Sequence, residues 1–175
     1  MRSISLTIQD SLCFQCSLKK KTCCQNREIY VTPGDIRRIE DKTGIGSFFE
    51  FCISQDAQYM AQDDDPVWMN YVFRADHSRR ILKRQLNGDC FFLSNQGCEL
   101  NLDVRPLVCR LHPLNYNAEQ IYTEPEPECP THLLNKDQTL MKALGMTLEN
   151  ARIWHRTLYF EILTEKQHHE NRIDL

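Results

Sequence analysis

The stretch "LCFQCSLKKKTCC", Leu12 to Cys24, places four cysteines within twelve positions, two of them adjacent. A C-x2-C pair such as Cys13 and Cys16 lets one tight turn aim two sulfurs at one metal atom, although redox pairs share the spacing. Cys23 and Cys24 narrow the choice. In an extended segment, neighbouring side chains point to opposite sides, so an adjacent pair serves two metal atoms more readily than one. This favours a polynuclear cluster, or two nearby sites, over a single mononuclear zinc. An irregular loop is the expected conformation of the whole stretch.

Working outward, Cys90, Cys98 and Cys109 fall within twenty positions of one another and Cys129 follows. Eight thiols make two full tetrahedral sets, or one cluster with sulfurs to spare. Cysteines bind metal as thiolates, and burying a centre with a net charge of about −2 requires cations or N–H donors close by. Lys19, Lys20 and Lys21 lie inside the first group; a solvated loop is at least as good a reading of them. Arg105 and Arg110 bracket Cys109, and their planar forks suit hydrogen bonds to sulfur or loop carbonyls. The ninth cysteine, Cys52, stands apart. A helix is expected from Ser47 towards Ser54, with Cys52 on its apolar face beside Phe48 and Phe51 as a small core residue.

Composition bounds the rest. The chain has 175 residues, 41% hydrophobic and 26% charged, which is ordinary globular composition. A net charge of −3 provides no basic field for nucleic acid or anionic lipid. No apolar run approaches the ~20 residues of a membrane span, and the N-terminus lacks the apolar core of a signal peptide. The expected compartment is the cytoplasm, where thiols stay reduced and clustered cysteines are metal ligands or redox groups more often than staples.

"VTPGDIRRIEDKTGI" carries helix-start chemistry: Thr32 to cap, Pro33 in the first turn, Asp35 near the positive end, Ile36 and Ile39 on one face, and Gly44 to stop. "AQDDDP" reads as a solvated acidic loop, lacking the spaced ligands and glycine of a calcium loop. "VWMNYVFR" and "RRILKRQL" alternate as short strands do, and "NGD" at 87–89 signals a turn. "YNAEQIYTEPEPECP" predicts a small strand pair. After the Gly145 break, Leu148, Ala151, Trp154 or His155, Leu158 and Ile162 recur at helical spacing, and the tail "KQHHENRIDL" is expected to fray.

Taken together, Cys13, Cys16, Cys23-Cys24, "CFFL" at Cys90, "CEL" at Cys98, "RPLVCR" from Arg105 to Arg110, and Cys129 resemble the YkgJ-type cysteine-cluster family, described as a zinc- or iron-chelating domain. The helix that starts at Thr32 also resembles one that follows the CC pair in that family. Flagellin lysine N-methylases contain a domain of this type that holds an iron–sulfur cluster, so the resemblance implies iron–sulfur binding by analogy. Two features depart from the pattern. Six residues, "SLKKKT", separate Cys16 from the CC pair where two or three are usual. His112 stands where an aromatic is common, and stacking in the aromatic's place is favoured over metal ligation. His132, three residues after Cys129, is read in the same way.

These observations predict a single α+β domain over residues 1–175. It is mostly helical, with short strands and irregular loops around a cysteine-ligated metal centre; its core motif spans 13–129 and a helical segment 130–166. The expected function is metal binding through the eight cysteines, with an iron–sulfur cluster such as [4Fe-4S] favoured over zinc. Arg105 and Arg110 are expected to support the ligands. The alternative is a cluster-dependent enzyme that modifies a macromolecule, related to the flagellin methylases. No phosphate loop, nucleophile elbow or radical-SAM spacing supports it, and His77, His155, His168 and His169 are scattered. Metal ions are the expected partners, with no nucleic acid and no membrane; a protein partner is left open.

Overall fold

The computed structural model describes residues 12–18, 23–60, 64–125 and 129–173, apart from the side chains at positions 17, 23, 26, 58, 125 and 166–173. Of the loop "AQDDDP", positions 61–63 lie outside the described residues, as do the lysines at 19–21; Asp64 is exposed, but Asp65 is buried rather than solvated, because its carboxylate caps the helix that follows. Among the described residues, no helix is long and apolar enough to cross a membrane.

The first cysteine stretch departs from the expected loop. It forms two short helices, α1 (Leu12–Ser17) and α2 (Cys23–Asn26). Leu12 and Cys16 are four residues apart on one face of α1 and both are buried, so tertiary burial holds a helix too short to be stable alone. Helix α3 (Pro33–Thr43) forms where its caps predict. Thr32 and Asp35 close a reciprocal capping box, Pro33 occupies the first turn, and Gly44 ends the helix at φ 71°.

The segment expected as a helix from Ser47 is instead the strand β1 (Phe49–Cys52). It pairs antiparallel with β2 (Arg79–Leu82), Phe49 opposite Leu82 and Cys52 opposite Arg79. The alternating "FEFC" suits a pleated ribbon, and the available partner strand overrides a helical reading. Cys52 is therefore only half-buried on this ribbon, and the expectation that it is a core residue fails.

"VWMNY" also differs from its expected strand. It lies in helix α4 (Pro66–Tyr71), because Asp65 caps the Trp68 N–H at 3.0 Å and Pro66 takes the first helical position. The "RRIL" strand, the turn around Gly88 and the strand pair β5 (Leu114–Tyr116) and β6 (Ile121–Pro125) form as expected. Between them lie the small hairpin β3 (Leu93–Ser94) and β4 (Gly97–Cys98) and helix α5 (Leu107–Leu111). The last helices are α6 (Leu140–Ala143) and α7 (Leu148–Ile173), whose backbone is helical as far as Ile173, within the tail expected to fray; positions 174–175 lie outside the described residues.

Two apolar clusters hold this α+β arrangement together. In one, α7 presents Ala151, Leu158 and Ile162 to α4 and α5, against Trp68, Leu107 and Leu111. His155 is the buried member of the Trp154/His155 choice, with Nε2 2.7 Å from the Asn117 carbonyl. The second cluster gathers Val31, Ile39, Phe48, Leu82, Phe92 and Leu100, and it includes Cys90.

Candidate metal centre

Each cysteine-bearing piece is too short to be stable alone, so its position is set by what it leans on. Helix α1 packs against β4 and against the 3-10 turn Thr131–Leu133, which brings the Cys13/Cys16 turn beside Cys98 and Cys129. Gly97 carries φ 93°, and a side chain there would meet Phe14 of α1. Cys24 and Cys90, far apart in sequence, are tied through backbone: the Cys90 N–H donates to the Cys24 carbonyl at 2.9 Å, and Arg84 Nη1 donates to the same oxygen at 2.7 Å. Gln85 fixes the "CFFL" turn by donating from Nε2 to the carbonyls of Cys90 (2.9 Å) and Leu93 (2.7 Å).

The result is one cavity of about 350 Å³ with Cys13, Cys16, Cys24, Cys90, Cys98, Cys109 and Cys129 in its wall. None of these seven is in a disulfide. The eighth candidate, Cys23, lies on α2, and its side chain falls outside the described residues. Cys52 is not in the wall. The thiols surround a space rather than a point: among the described residues, no group of three or more His, Cys, Asp or Glu side chains is already gathered closely enough to hold an ion. His112 lines the cavity and His132 is exposed on its turn.

Electrostatics favour the protonated thiols. Burial pushes Cys90 up to about 12, and Cys24 and Cys98 add to the effect. Cys109 is raised well above its ordinary value by burial and then by Cys24, Cys90 and Cys98. Cys13 is exposed as a residue, yet the protein packed around its thiol raises it to about 11, against the pull of Arg105. Cys98 is raised by burial and held back by Arg105, which hydrogen-bonds it. These are the directions expected of uncharged thiols in a poorly solvated site. A bound cation reverses them, because a coordinating thiol is deprotonated outright.

Arg105 occupies the place such a charge requires. Its Nε donates to the Leu100 carbonyl at 2.9 Å. Burial opposes its charge, but Cys98, Cys13, Cys109 and Cys24 outweigh that and raise its pKa. Arg110 also lines the cavity, but its Nε donates to the Arg105 carbonyl at 2.6 Å, and its charged neighbours are Arg38, Asp35, Asp103 and Glu161. The donor set, all sulfur with one guanidinium among it, fits zinc and iron–sulfur clusters alike, both of which take thiolate ligands. When bound, either group would draw the thiolates together and supply folding energy to their loops; Arg105 would offset its negative charge.

The family model CxxCxxCC, titled "Putative zinc- or iron-chelating domain", matches residues 12–130. The chain belongs to this family. The CxxCxxCC match begins one residue before Cys13 and ends one after Cys129, so it spans every cysteine of the cavity wall. No curated protein and no solved structure gives a match. Two contributors to the site were not legible in the sequence. Gln85 gives no motif signal. Asp35 is readable as a helix-capping residue, but not as a residue that also reaches the turn carrying Cys109.

Proposed function

We propose that this protein is a cytoplasmic, non-catalytic metal-binding domain that holds an iron–sulfur cluster. The proposed ligands are drawn from Cys13, Cys16, Cys23, Cys24, Cys90, Cys98, Cys109 and Cys129. The observation that carries the reading is the shared cavity: seven cysteines from separate segments line it, with Arg105 as counter-charge. Iron–sulfur is preferred to zinc because the Cys23-Cys24 pair suits a polynuclear centre better than one tetrahedral ion, and because more thiols line the cavity than one zinc can use. A second reading, a cluster-dependent modifying enzyme, draws on one observation. The cavity continues past the thiols to Trp68 and Tyr159, and its volume falls within the range of small-molecule sites, roughly 300–1,000 Å³.

Purification without oxygen, followed by an absorption spectrum and metal analysis, tests the proposal. A brown protein with a broad visible band and matched iron and sulfide is expected. A colourless protein with stoichiometric zinc would sink the iron–sulfur assignment and leave a thiolate-bound zinc site.

A further inference from the structure

Helix α5 carries Cys109 and has no cap of its own. Its N-terminal residue is Pro106, whose side chain cannot accept a hydrogen bond, and no local side chain takes the first free N–H. That N–H belongs to Leu107, and it donates at 3.1 Å to Oδ1 of Asp35, seventy-two residues upstream. Asp35 is fully buried and serves two helices at once. Its Oδ2 accepts from the Thr32 N–H at 3.1 Å, closing the box of α3, while Oδ1 is turned to α5.

A third element braces this carboxylate. Arg38 donates from Nη2 to Asp35 Oδ1 at 2.7 Å and from Nη1 to Glu161 Oε1 at 2.6 Å. Glu161 of α7 also accepts from the Thr32 hydroxyl. Its carboxylate sits where a side chain at Gly34 would have to be, so the close approach of α7 depends on that glycine. Glu161 lies outside the stretch matched by the family model, so α7 adds this brace to the shared motif.

We propose that Asp35 is a positioning residue for the metal centre: braced by Arg38 and Glu161, it fixes the turn that sets Cys109 in the cavity wall. Asp35 is not itself in that wall. It acts through Leu107, two residues before the thiol. The start of α3 and the helix that carries Cys109 are thereby tied to one carboxylate. The inference rests on the cavity being a metal centre, but the geometry it predicts can be read without metal.

The test compares Asp35→Ala with Thr32→Ala in the reduced, metal-free full chain. Thr32→Ala breaks the box of α3 and a contact to Glu161 but keeps the Asp35–Leu107 bond. Site-resolved iodoacetamide labelling, read by mass spectrometry, gives the rate at Cys109 relative to Cys90. Loss of a buried, charge-assisted hydrogen bond should raise that ratio about tenfold in Asp35→Ala, with little change in Thr32→Ala. Equal ratios in the two variants would overturn the proposal, because Asp35 would then act only by stabilising α3. If Asp35→Ala does not fold, Asp35→Asn, which keeps a weaker acceptor, must show a rise of severalfold, and an unchanged ratio there is equally fatal. The parent and the folded variants are then loaded with Zn²⁺ and challenged with a chelator; faster zinc loss is expected where the Cys109 ratio has risen, and unchanged retention would overturn the role in metal positioning. If the parent itself takes up neither zinc nor iron, the metal-centre reading falls, while the labelling contrast still decides whether Asp35 positions Cys109.

Discussion

Raising the pH should unfold the metal-free protein through its thiols, and Cys90 shows how strongly. The residue is 5% exposed and packs within the apolar cluster of Phe48, Leu82 and Phe92. Burial lifts its pKa to about 12 from an ordinary value of 9.0. A hydrogen bond from the Phe92 backbone and the charge of Arg84 pull it down, while Cys24 and Cys98 push it up. Since the folded state holds the proton more tightly than the unfolded chain, the resulting stability is complete below about pH 9. It is lost as pH rises from 9 towards 12. In that window the slope is about 1.4 kcal/mol per pH unit, and the whole shift is worth on the order of 4 kcal/mol. That is a large part of an ordinary domain's ~5–15 kcal/mol. Cys109, Tyr30 and Tyr159 move in the same direction, so the informative quantity is a difference between two proteins. Cys90→Ala should be about 1–2 kcal/mol less stable than the parent near neutral pH, from lost packing. The gap should close and then reverse by about pH 11. Urea unfolding of both proteins, reduced and without oxygen, across this range measures it. Parallel pH curves would refute the reasoning, since they would mean that the Cys90 proton is held no more tightly in the fold than outside it.

Two further outcomes follow from placement alone. Cys52→Ala should leave metal content unchanged and stability within about 0.5 kcal/mol, because Cys52 sits half-exposed on β1, whereas Cys109→Ala should lose metal; elemental analysis of the two variants decides it. Gly34→Ala should lower thermal stability by roughly 1–3 kcal/mol, because the new methyl group displaces the Glu161 carboxylate from Arg38 and Thr32; a melting curve that matches the parent's would contradict this.

Local chemistry made α3 readable residue by residue, because its cap, first-turn proline, acidic residue and closing glycine all act within one helix. α7 was readable because a long helix repeats its signal, with Ala151, Leu158 and Ile162 on one face. The misreadings occur where a short segment takes its structure from a distant partner. "FEFC" becomes a strand because Arg79–Leu82 lies beside it. "VWMNY" alternated convincingly, and the decisive sign was the Asp65-Pro66 pair just upstream, a cap followed by a first-turn proline. In the candidate site, the list of cysteines came from spacing, and the exclusion of Cys52 from the cavity wall agrees with its isolation in sequence. A helical core position is not the cause, since Cys52 lies half-buried on β1. The reach of Asp35 to Leu107 left no local trace, since a helix-start aspartate satisfied by its own cap looks complete.

The order in which the cavity wall is synthesised has a consequence of its own. Cys13 to Cys24 leave the ribosome first, and Cys129 follows roughly a hundred residues later. At ~10 residues per second that interval is about 10 s. During it the early thiols have neither Arg105 nor the α3–α5 brace around them, and they are open to any thiophilic ion or oxidant. A correct centre can be completed only after residue 129 has emerged, so the nascent chain must either keep its first cysteines empty or exchange what they have caught. Helix α1, which finds its packing partners at β4 and Thr131–Leu133, makes Cys13 and Cys16 the last part of the wall to settle, although they are the first to be made.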